Sequence, residues 1–180
     1  MPEDTARESL EILDLLDFDN ISDLTYYSYC FNESLRMQPP VYHSSGVSVS
    51  KQVKCDWLSI LPDTLITIDM HRLGNNPKEW IEPEKFIPER FDSKSPYYLT
   101  PSGKIRNPYS FSPFLGGQRI CLGKTFIENV SKLTVPTLLF NFDFELPEQI
   151  DAEKFDMPSN HLLNTFMLKI DLLLTDKMKL

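Results

Sequence analysis

Proline shapes the middle of this chain more than any other residue. Residues 77–113 hold seven of the 14 prolines in a sequence of 180 residues. Each proline removes a backbone N–H donor and fixes its own φ angle, so the segment cannot form a long helix or a central strand. The spacing predicts ordered irregular chain with one short helix. A connection of this length within a compact domain is typically functional.

Regular structure is predicted upstream of this proline-rich segment. Apolar residues recur at helical spacing over residues 5–17 and again over residues 23–37, and Ser22 is a suitable N-cap for the second helix. Pro39 ends that helix, because a proline disfavours helical geometry in the residue before it. Apolar and polar residues then alternate within residues 41–70, which predicts a small antiparallel sheet.

A helix and a strand are predicted downstream of the proline-rich segment. The helix follows Gly123, and Pro136 interrupts its hydrogen-bond ladder. Residues 167–174 predict a closing strand. The apolar face of the helix consists of residues at helical spacing: Phe126, Val130, Leu133, Thr137 and Phe140.

Length and charge set the outer bounds on function. The length predicts one domain over residues 1–180, since the sequence has no internal repeat and no linker. The formal net charge of −8 argues against nucleic acid as a partner, because phosphate binding needs a basic surface. The first residues are acidic and no apolar run is long enough to span a bilayer, so we expect no signal peptide or membrane anchor within this sequence.

The three cysteines differ in their surroundings. Their odd number and wide spacing indicate neither a disulfide framework nor a zinc site, and Cys30 and Cys55 are interpreted as small buried hydrophobic residues. Cys121 lies at the expected start of a helix, two residues after Arg119, within a glycine-bearing loop. The helix N-terminus and the guanidinium group both favour a thiolate over a thiol.

The residues around Cys121 leave room for a large ligand. Gly117 and Gly123 carry no side chain, so a planar group can approach the backbone there, and Phe114 supplies an apolar wall. A thiolate held in this way is a ligand for a soft metal ion, and nearby backbone amides tune its electron donation. The alternative interpretation of Cys121 is an inert buried cysteine.

The stretch from Phe114 to Gly123 resembles the haem-binding signature of the cytochrome P-450 family. It contains the pattern Phe-x-x-Gly-x-Arg-x-Cys-x-Gly in register. Leu115 departs from the family pattern, which usually has a small or polar residue there. The departure affects the expected packing of the loop but not the expected ligation of iron. The resemblance implies that Cys121 is the axial ligand of haem iron and that Arg119 pairs with a haem propionate.

Two further motifs lie in the same order as in that family. A Glu-x-x-Arg motif at Glu33 and Arg36 lies within the second predicted helix, and a Pro-Glu-Arg-Phe motif in the proline-rich segment contains Arg90. The resemblance implies that Glu33, Arg36 and Arg90 form a buried charged triad that locks this segment onto the core. Taken alone, a Glu-x-x-Arg pair is also common on the surface of helices.

The resemblance implies an α+β fold, mainly α, corresponding to the C-terminal part of the cytochrome P-450 fold. Its parts are the Glu-x-x-Arg helix, a small antiparallel sheet, the proline-rich meander, the cysteine haem loop, a following helix and a C-terminal hairpin. His43 occupies the place of a basic residue that contacts a propionate, although a simple polar histidine fits equally well. Two regions correspond to substrate-lining parts of the family, or equally to core: Val41, Tyr42 and Ser44, and residues 160–166.

The implied activity is that of a haem-thiolate monooxygenase. Such an enzyme uses haem b to insert one atom of O2 into an organic substrate, here expected to be small and apolar. Electrons are expected from a flavoprotein reductase or a ferredoxin. That partner docks on a basic surface in the family, and the basic residues near the haem loop are candidates for it or are ordinary surface residues: Lys104, Arg106, Lys124 and Lys132.

Other parts of the family pattern have no counterpart in this sequence. The long distal helix with its acid–threonine pair and the helix that binds the propionates are expected upstream, so the sequence resembles roughly the last third of such an enzyme. The resemblance implies an endoplasmic-reticulum membrane location if an anchor precedes the sequence, and otherwise the cytoplasm. Two alternatives stay open: a truncated non-catalytic product with weak or no haem binding, and a structural domain without a cofactor.

Overall fold

The computed structural model describes residues 21–144 and 172–174. The chain divides into two compact units. The larger unit consists of residues 26–121, and the smaller unit contains residues 21–25 and the described residues from 122 onward. The larger unit holds all of the proline-rich segment and most of the predicted site residues.

Helix α1, Thr25–Met37, carries the Glu-x-x-Arg motif. It begins two residues later than the sequence predicts, because Ile21–Asp23 form a 3₁₀ turn. The Ser22 hydroxyl donates to the carboxylate of the next residue at 3.4 Å and does not cap the helix. The helix ends before Pro39, as the proline rule predicts.

Two short antiparallel sheets follow, and the type of structure predicted for residues 41–70 is confirmed. The strands are β1, Val47–Ser48; β2, Val53–Cys55; β3, Leu58–Ile60; and β4, Leu65–Ile66. Strand β1 pairs with β4, and β2 pairs with β3 as a hairpin. Most of their side chains are exposed within this unit.

Helix α2, Met70–Gly74, begins where the predicted sheet ends. The Asp69 carboxylate caps it by accepting a hydrogen bond from the Arg72 N–H at 2.8 Å. The backbone of Asp69 also forms an isolated antiparallel bridge with His43. One residue therefore joins the sheet region to the start of the helix.

The proline-rich segment folds as successive 3₁₀ turns, where the sequence predicts one short helix. The turns are Pro88–Phe91, Pro96–Tyr98 and Pro108–Ser110, and each begins at a proline. Proline suits the first position of a helical turn, because its missing N–H has no partner there and its φ angle is preset. The side chains of Ser95 and Asn107 cap the second and third turns. The prolines therefore position the turns.

Helix α3, Lys124–Asn141, is the main element of the smaller unit. It contains Pro136, and the Thr137 hydroxyl next to it donates to a carbonyl one turn earlier at 2.6 Å. The sequence predicts an apolar face that includes Phe126, yet this side chain is 70% exposed, while Ser131 is buried. Helical spacing defines a face, but the packing partners decide which face is covered.

Strands β5, Phe142–Phe144, and β6, Leu172–Leu174, pair antiparallel in the smaller unit. Strand β6 falls within the closing strand predicted over residues 167–174. The rest of that strand and the helix predicted over residues 5–17 lie outside the described residues. No helix in the described part of the chain is long and apolar enough to cross a membrane.

Candidate functional site

Charged side chains form the most deeply buried part of the larger unit. The side chains that are fully buried include one aromatic residue, Trp80, and three charged ones, Glu33, Arg36 and Arg90. Arg36 and Glu33 lie one turn apart on α1 and form a bidentate pair, with Nε–Oε2 and Nη2–Oε1 distances of 2.8 Å. Exclusion of water strengthens such a pair. The Glu-x-x-Arg motif is therefore an internal pair in this chain.

Arg90 joins this pair from the proline-rich segment. Its Nε lies 3.0 Å from Glu33 Oε1, and its guanidinium group donates to the carbonyls of Ile81 and Glu82. The Ile87 N–H donates to the same Glu33 oxygen at 2.9 Å. Burial lowers the pKa of Arg90, and the charge of Glu33 opposes that shift. The structure thus brings the three residues of the predicted triad into direct contact.

Gly74 shows how closely α2 approaches this cluster. Arg36 Nη1 donates to the Gly74 carbonyl at 2.7 Å. A Cβ atom added to Gly74 meets the Arg36 carbonyl oxygen at 2.3 Å, which is closer than atoms can pack. Helix α2 is therefore fastened to α1 at a position that admits only glycine.

A third arginine, Arg106, also turns inward. Sequence alone groups it with exposed Lys104, but its Nη2 donates to the carbonyls of Arg90 at 2.9 Å and Tyr98 at 2.6 Å. Its Cζ lies 3.9 Å from the centroid of the Trp80 ring, a cation–π stack. Burial, followed by repulsion from Arg90, lowers the pKa of Arg106 to about 10. The group therefore stays charged at neutral pH but is not part of a docking surface.

Trp80 connects the arginines to an aromatic group. Its Nε1 donates to the Leu73 carbonyl at 3.1 Å, and its ring lies 6.0 Å from the Phe91 ring and 6.3 Å from the Phe111 ring, centroid to centroid. Phe91 and Phe111 form an edge-to-face pair at 4.9 Å. These distances suit favourable aromatic contacts. The sequence analysis assigned no role to Trp80, although the segment of residues 70–80 that contains it resembles the cytochrome P-450 family.

Residues 112–121 form the cysteine loop. A turn at its start is closed by the Leu115 N–H, which donates to a carbonyl three residues earlier at 3.0 Å, and Gly117–Arg119 form a 3₁₀ turn. The Cys121 N–H donates to the Phe114 carbonyl at 2.9 Å. This last bond closes the loop and fixes the backbone that carries the sulfur.

Two residues of the loop adopt left-handed backbone angles. Gly117 has φ 64°, which glycine adopts freely. Leu115 has φ 61°, a conformation that strains an L-residue by about 1–2 kcal/mol. A Cβ atom added to Gly116 or Gly117 meets no other atom within 4 Å. The loop therefore has open space beside its glycines and strain at the position where the sequence departs from the motif.

The loop presents one soft donor beside that open space. The side chains of Cys121 and Arg119 are exposed, and Phe114 is half-buried. A single sulfur donor next to unobstructed glycine backbone fits a soft metal ion that arrives in a planar ligand. The exposed guanidinium group can pair with a carboxylate of such a ligand. Gly123 is exposed and belongs to the smaller unit.

His43 contacts a carboxylate of the protein itself. Its Nε2 lies 3.7 Å from Asp69 Oδ2, and both side chains are about half exposed. The neighbouring Tyr42 ring stacks on His71 at 4.8 Å. The 3.7 Å distance from His43 to Asp69 is too long for a hydrogen bond, so Asp69 is a neighbouring charge and does not fix the orientation of the imidazole. A role for His43 in binding an external carboxylate stays a prediction.

Comparison with known proteins gives a consistent result. A family model described as cytochrome P-450 matches residues 7–171. The chain is 35% identical over 152 residues to cytochrome P-450 3A18 of Rattus norvegicus, covering 81% of this chain and 29% of that protein. It is 31% identical over 151 residues to berbamunine synthase of Berberis stolonifera, covering 83% of this chain and 30% of that protein. The chain therefore spans less than a third of the length of these curated relatives.

A solved structure has a similar fold. The retinoic acid-bound cyanobacterial CYP120A1 matches with a TM-score of 0.66 and 26% sequence identity, over 79% of this chain and 32% of that one. The predicted fold class, α+β and mainly α as a portion of a larger fold, is confirmed.

Proposed function

The chain belongs to the cytochrome P-450 family, and from that premise we propose that it forms the haem-holding part of a haem-thiolate monooxygenase. Cys121 would then supply the sulfur that holds the iron of haem b. Residues 1–180 act as one partial domain of such an enzyme, and the unit of residues 26–121 presents the sulfur.

The observation that carries this proposal is the geometry at Cys121. The thiol is exposed, its own backbone N–H is held by the Phe114 carbonyl at 2.9 Å, and Gly116 and Gly117 leave the adjacent space open. A fixed backbone limits the positions that the sulfur can occupy, and the bare glycines let a flat macrocycle approach it. The residues present therefore fit a haem group.

Each neighbouring residue has a separate task in this proposal. Arg119 pairs with a propionate of the haem through its exposed guanidinium group. His43 is the second candidate for a propionate, and its imidazole lies half exposed near Asp69. Phe114 contributes apolar surface that excludes water near the sulfur. Gly117 and Gly123 have no side chain that could obstruct the macrocycle.

When bound, haem supplies the iron centre at which O2 is activated so that one oxygen atom enters the substrate. The chain's own part is to present the exposed sulfur of Cys121 to the iron. We propose a small, apolar organic compound as substrate and a flavoprotein reductase or a ferredoxin as electron donor. Exposed Lys104 suits an acidic surface of such a donor, whereas the guanidinium group of Arg106 is turned inward against Trp80.

The carbon-monoxide difference spectrum of the reduced, haem-reconstituted chain tests the ligand. We expect the red-shifted band of thiolate-ligated haem in the unaltered chain and its loss in Cys121→Ser, because a hydroxyl group is a poor substitute for a thiolate. Cys55→Ser is the matched control, since Cys55 is also exposed and lies in the same unit. Loss of the band in Cys55→Ser, or its survival in Cys121→Ser, contradicts the assignment.

A second candidate, a non-catalytic product with weak haem binding, has one observation in its favour. Among the described residues, the buried apolar side chains are few: Ile21, Met70 and Trp80. A small apolar core gives little rigidity with which to retain a large ligand. Titration of the chain with haem separates the two candidates, because the second predicts that the unaltered chain and Cys121→Ser bind equally weakly.

A further inference from the structure

We propose that Arg106 is a positioning residue for the cysteine loop, coupling the buried charged cluster to the backbone that carries Cys121. The inference rests on the proposed function, in which Cys121 binds haem iron. It extends the predicted triad by a fourth charged residue, which acts through Trp80 and does not touch the ligand.

The contacts of Arg106 go to backbone and to an aromatic ring. Its Nη2 donates to carbonyls of Arg90, Tyr97 and Tyr98 at 2.9, 3.3 and 2.6 Å, so one guanidinium group holds two consecutive 3₁₀ turns. Its Nη1 is buried, and no partner for it is found among the described residues. The planar guanidinium group lies over the Trp80 ring, with its Cζ 3.9 Å from the ring centroid.

A continuous series of contacts connects Arg106 to the cysteine loop through Trp80 and Phe111. The Trp80 ring meets Phe111 edge-on, and Phe111 also packs against Phe91. Phe111 immediately precedes the cysteine loop, whose Phe114 carbonyl accepts the Cys121 N–H at 2.9 Å. Displacing the Trp80 ring therefore displaces the residue from which the loop starts.

The backbone beside Arg106 is fastened as well. The Asn107 N–H donates to Glu79 Oε2 at 3.1 Å, next to Trp80 in the chain, and the Asn107 side chain caps the turn Pro108–Ser110. Arg106 and Asn107 thus attach the same point of the chain to residues 79–80 by two independent contacts. Lys104, two residues earlier, has an exposed side chain and is the natural control.

Amide hydrogen exchange at single-residue resolution on the full chain, without haem, tests the coupling. Arg106→Ala is expected to accelerate exchange of the Cys121 amide about tenfold. Lys104→Ala is expected to leave it unchanged. The reference is the Gln38 amide at the end of α1, which donates to the Ser34 carbonyl at 2.9 Å and is expected to change less than twofold in both variants.

Three outcomes overturn the proposal: an unchanged Cys121 amide in Arg106→Ala, an equal acceleration at Gln38, or the same response in Lys104→Ala. Should Arg106→Ala fail to fold, Arg106→Lys carries the same comparison, since lysine keeps the charge but loses the planar fork and its stack. We expect an intermediate acceleration for Arg106→Lys.

Haem retention supplies the functional readout on the same variants. Arg106→Ala is expected to release haem about tenfold more readily than Lys104→Ala, as removal of a group that orients a metal ligand does. If the unaltered chain shows no thiolate-ligated haem, the proposed function fails, while the exchange comparison still decides whether Arg106 holds the loop. The two failures are therefore distinguishable.

Discussion

The charged cluster and the cysteine loop both consist of residues from short sequence motifs, but the cluster is buried and the loop is mostly exposed. Glu33, Arg36 and Arg90 are at most 1% exposed, and each makes several hydrogen bonds. The loop of residues 112–121 is held mainly by backbone hydrogen bonds, and Cys121 lies exposed. The charges of the cluster are shielded from water, whereas the sulfur of Cys121 in the loop is exposed to it.

This difference separates stability from chemistry. A buried carboxylate shared by two arginines is sensitive to any change, because each lost partner leaves a charge unpaired. A loop that carries a ligand must keep its donor free and therefore has few side-chain contacts of its own. In our proposal, the rigidity of the loop is provided by Arg106 acting through Trp80 and Phe111. Substitutions in the two regions should therefore change the free energy of unfolding by different amounts and in different directions.

The largest effect is expected from Glu33→Gln. It leaves Arg36 and Arg90 without a counter-charge and should lower the free energy of unfolding by about 3–5 kcal/mol. Urea unfolding followed by the emission of buried Trp80, in a Trp57→Phe background, reports on the larger unit. Exposed Trp57 would otherwise dominate the change in emission.

Glu82→Gln is the matched control for that measurement. Glu82 pairs with Lys85 at the same three-residue spacing as Glu33 and Arg36, but both partners are substantially exposed. Its loss should lower the free energy of unfolding by less than about 1 kcal/mol. Equal losses in the two variants would mean that burial of the cluster does not distinguish it from a surface pair.

A smaller effect is expected from Gly74→Ala. The added methyl group meets the Arg36 carbonyl oxygen, so α2 must move away from α1, and we expect a loss of about 1–3 kcal/mol in unfolding free energy. Gly116→Ala in the cysteine loop is the control, because its backbone is extended and its Cβ position is open. A loss at Gly116 as large as at Gly74 would show that the loop is packed as tightly as the cluster.

The smallest effect, and the only gain, is expected from Leu115→Gly. Glycine relieves the left-handed strain but adds freedom to the unfolded chain, so the net gain in unfolding free energy is up to about 1 kcal/mol. Ile120→Gly also adds conformational freedom to the unfolded chain, but Ile120 has φ −56°, where no strain exists. This variant should therefore lower the free energy of unfolding by about 0.4–1 kcal/mol. Thermal unfolding of both variants measures these changes. A loss of stability in Leu115→Gly would show that the backbone at Leu115 is not strained.

Local sequence predicted the features that depend on nearby residues. The sequence predicted ordered irregular chain with one short helix for the proline-rich segment, and its prolines explain where the three 3₁₀ turns found there begin, because the ring presets φ at the first position of each turn. The end of α1 before Pro39 and the presence of α3 after Gly123 follow from the same kind of rule. The face of α3 did not follow, since Phe126 is exposed and Ser131 is buried. Helical spacing contains no information about the neighbouring element.

Only the tertiary structure decided which basic residues are structural. Lys104 and Arg106 lie two residues apart in the same proline-rich segment, and nothing local distinguishes them. Arg106 is half-buried and its Nη1 is fully covered, because Trp80 and the carbonyls of Arg90 and Tyr98 come together around it from other parts of the segment. A charge can leave water only where such distant partners replace its hydration, and their meeting is a property of the folded chain.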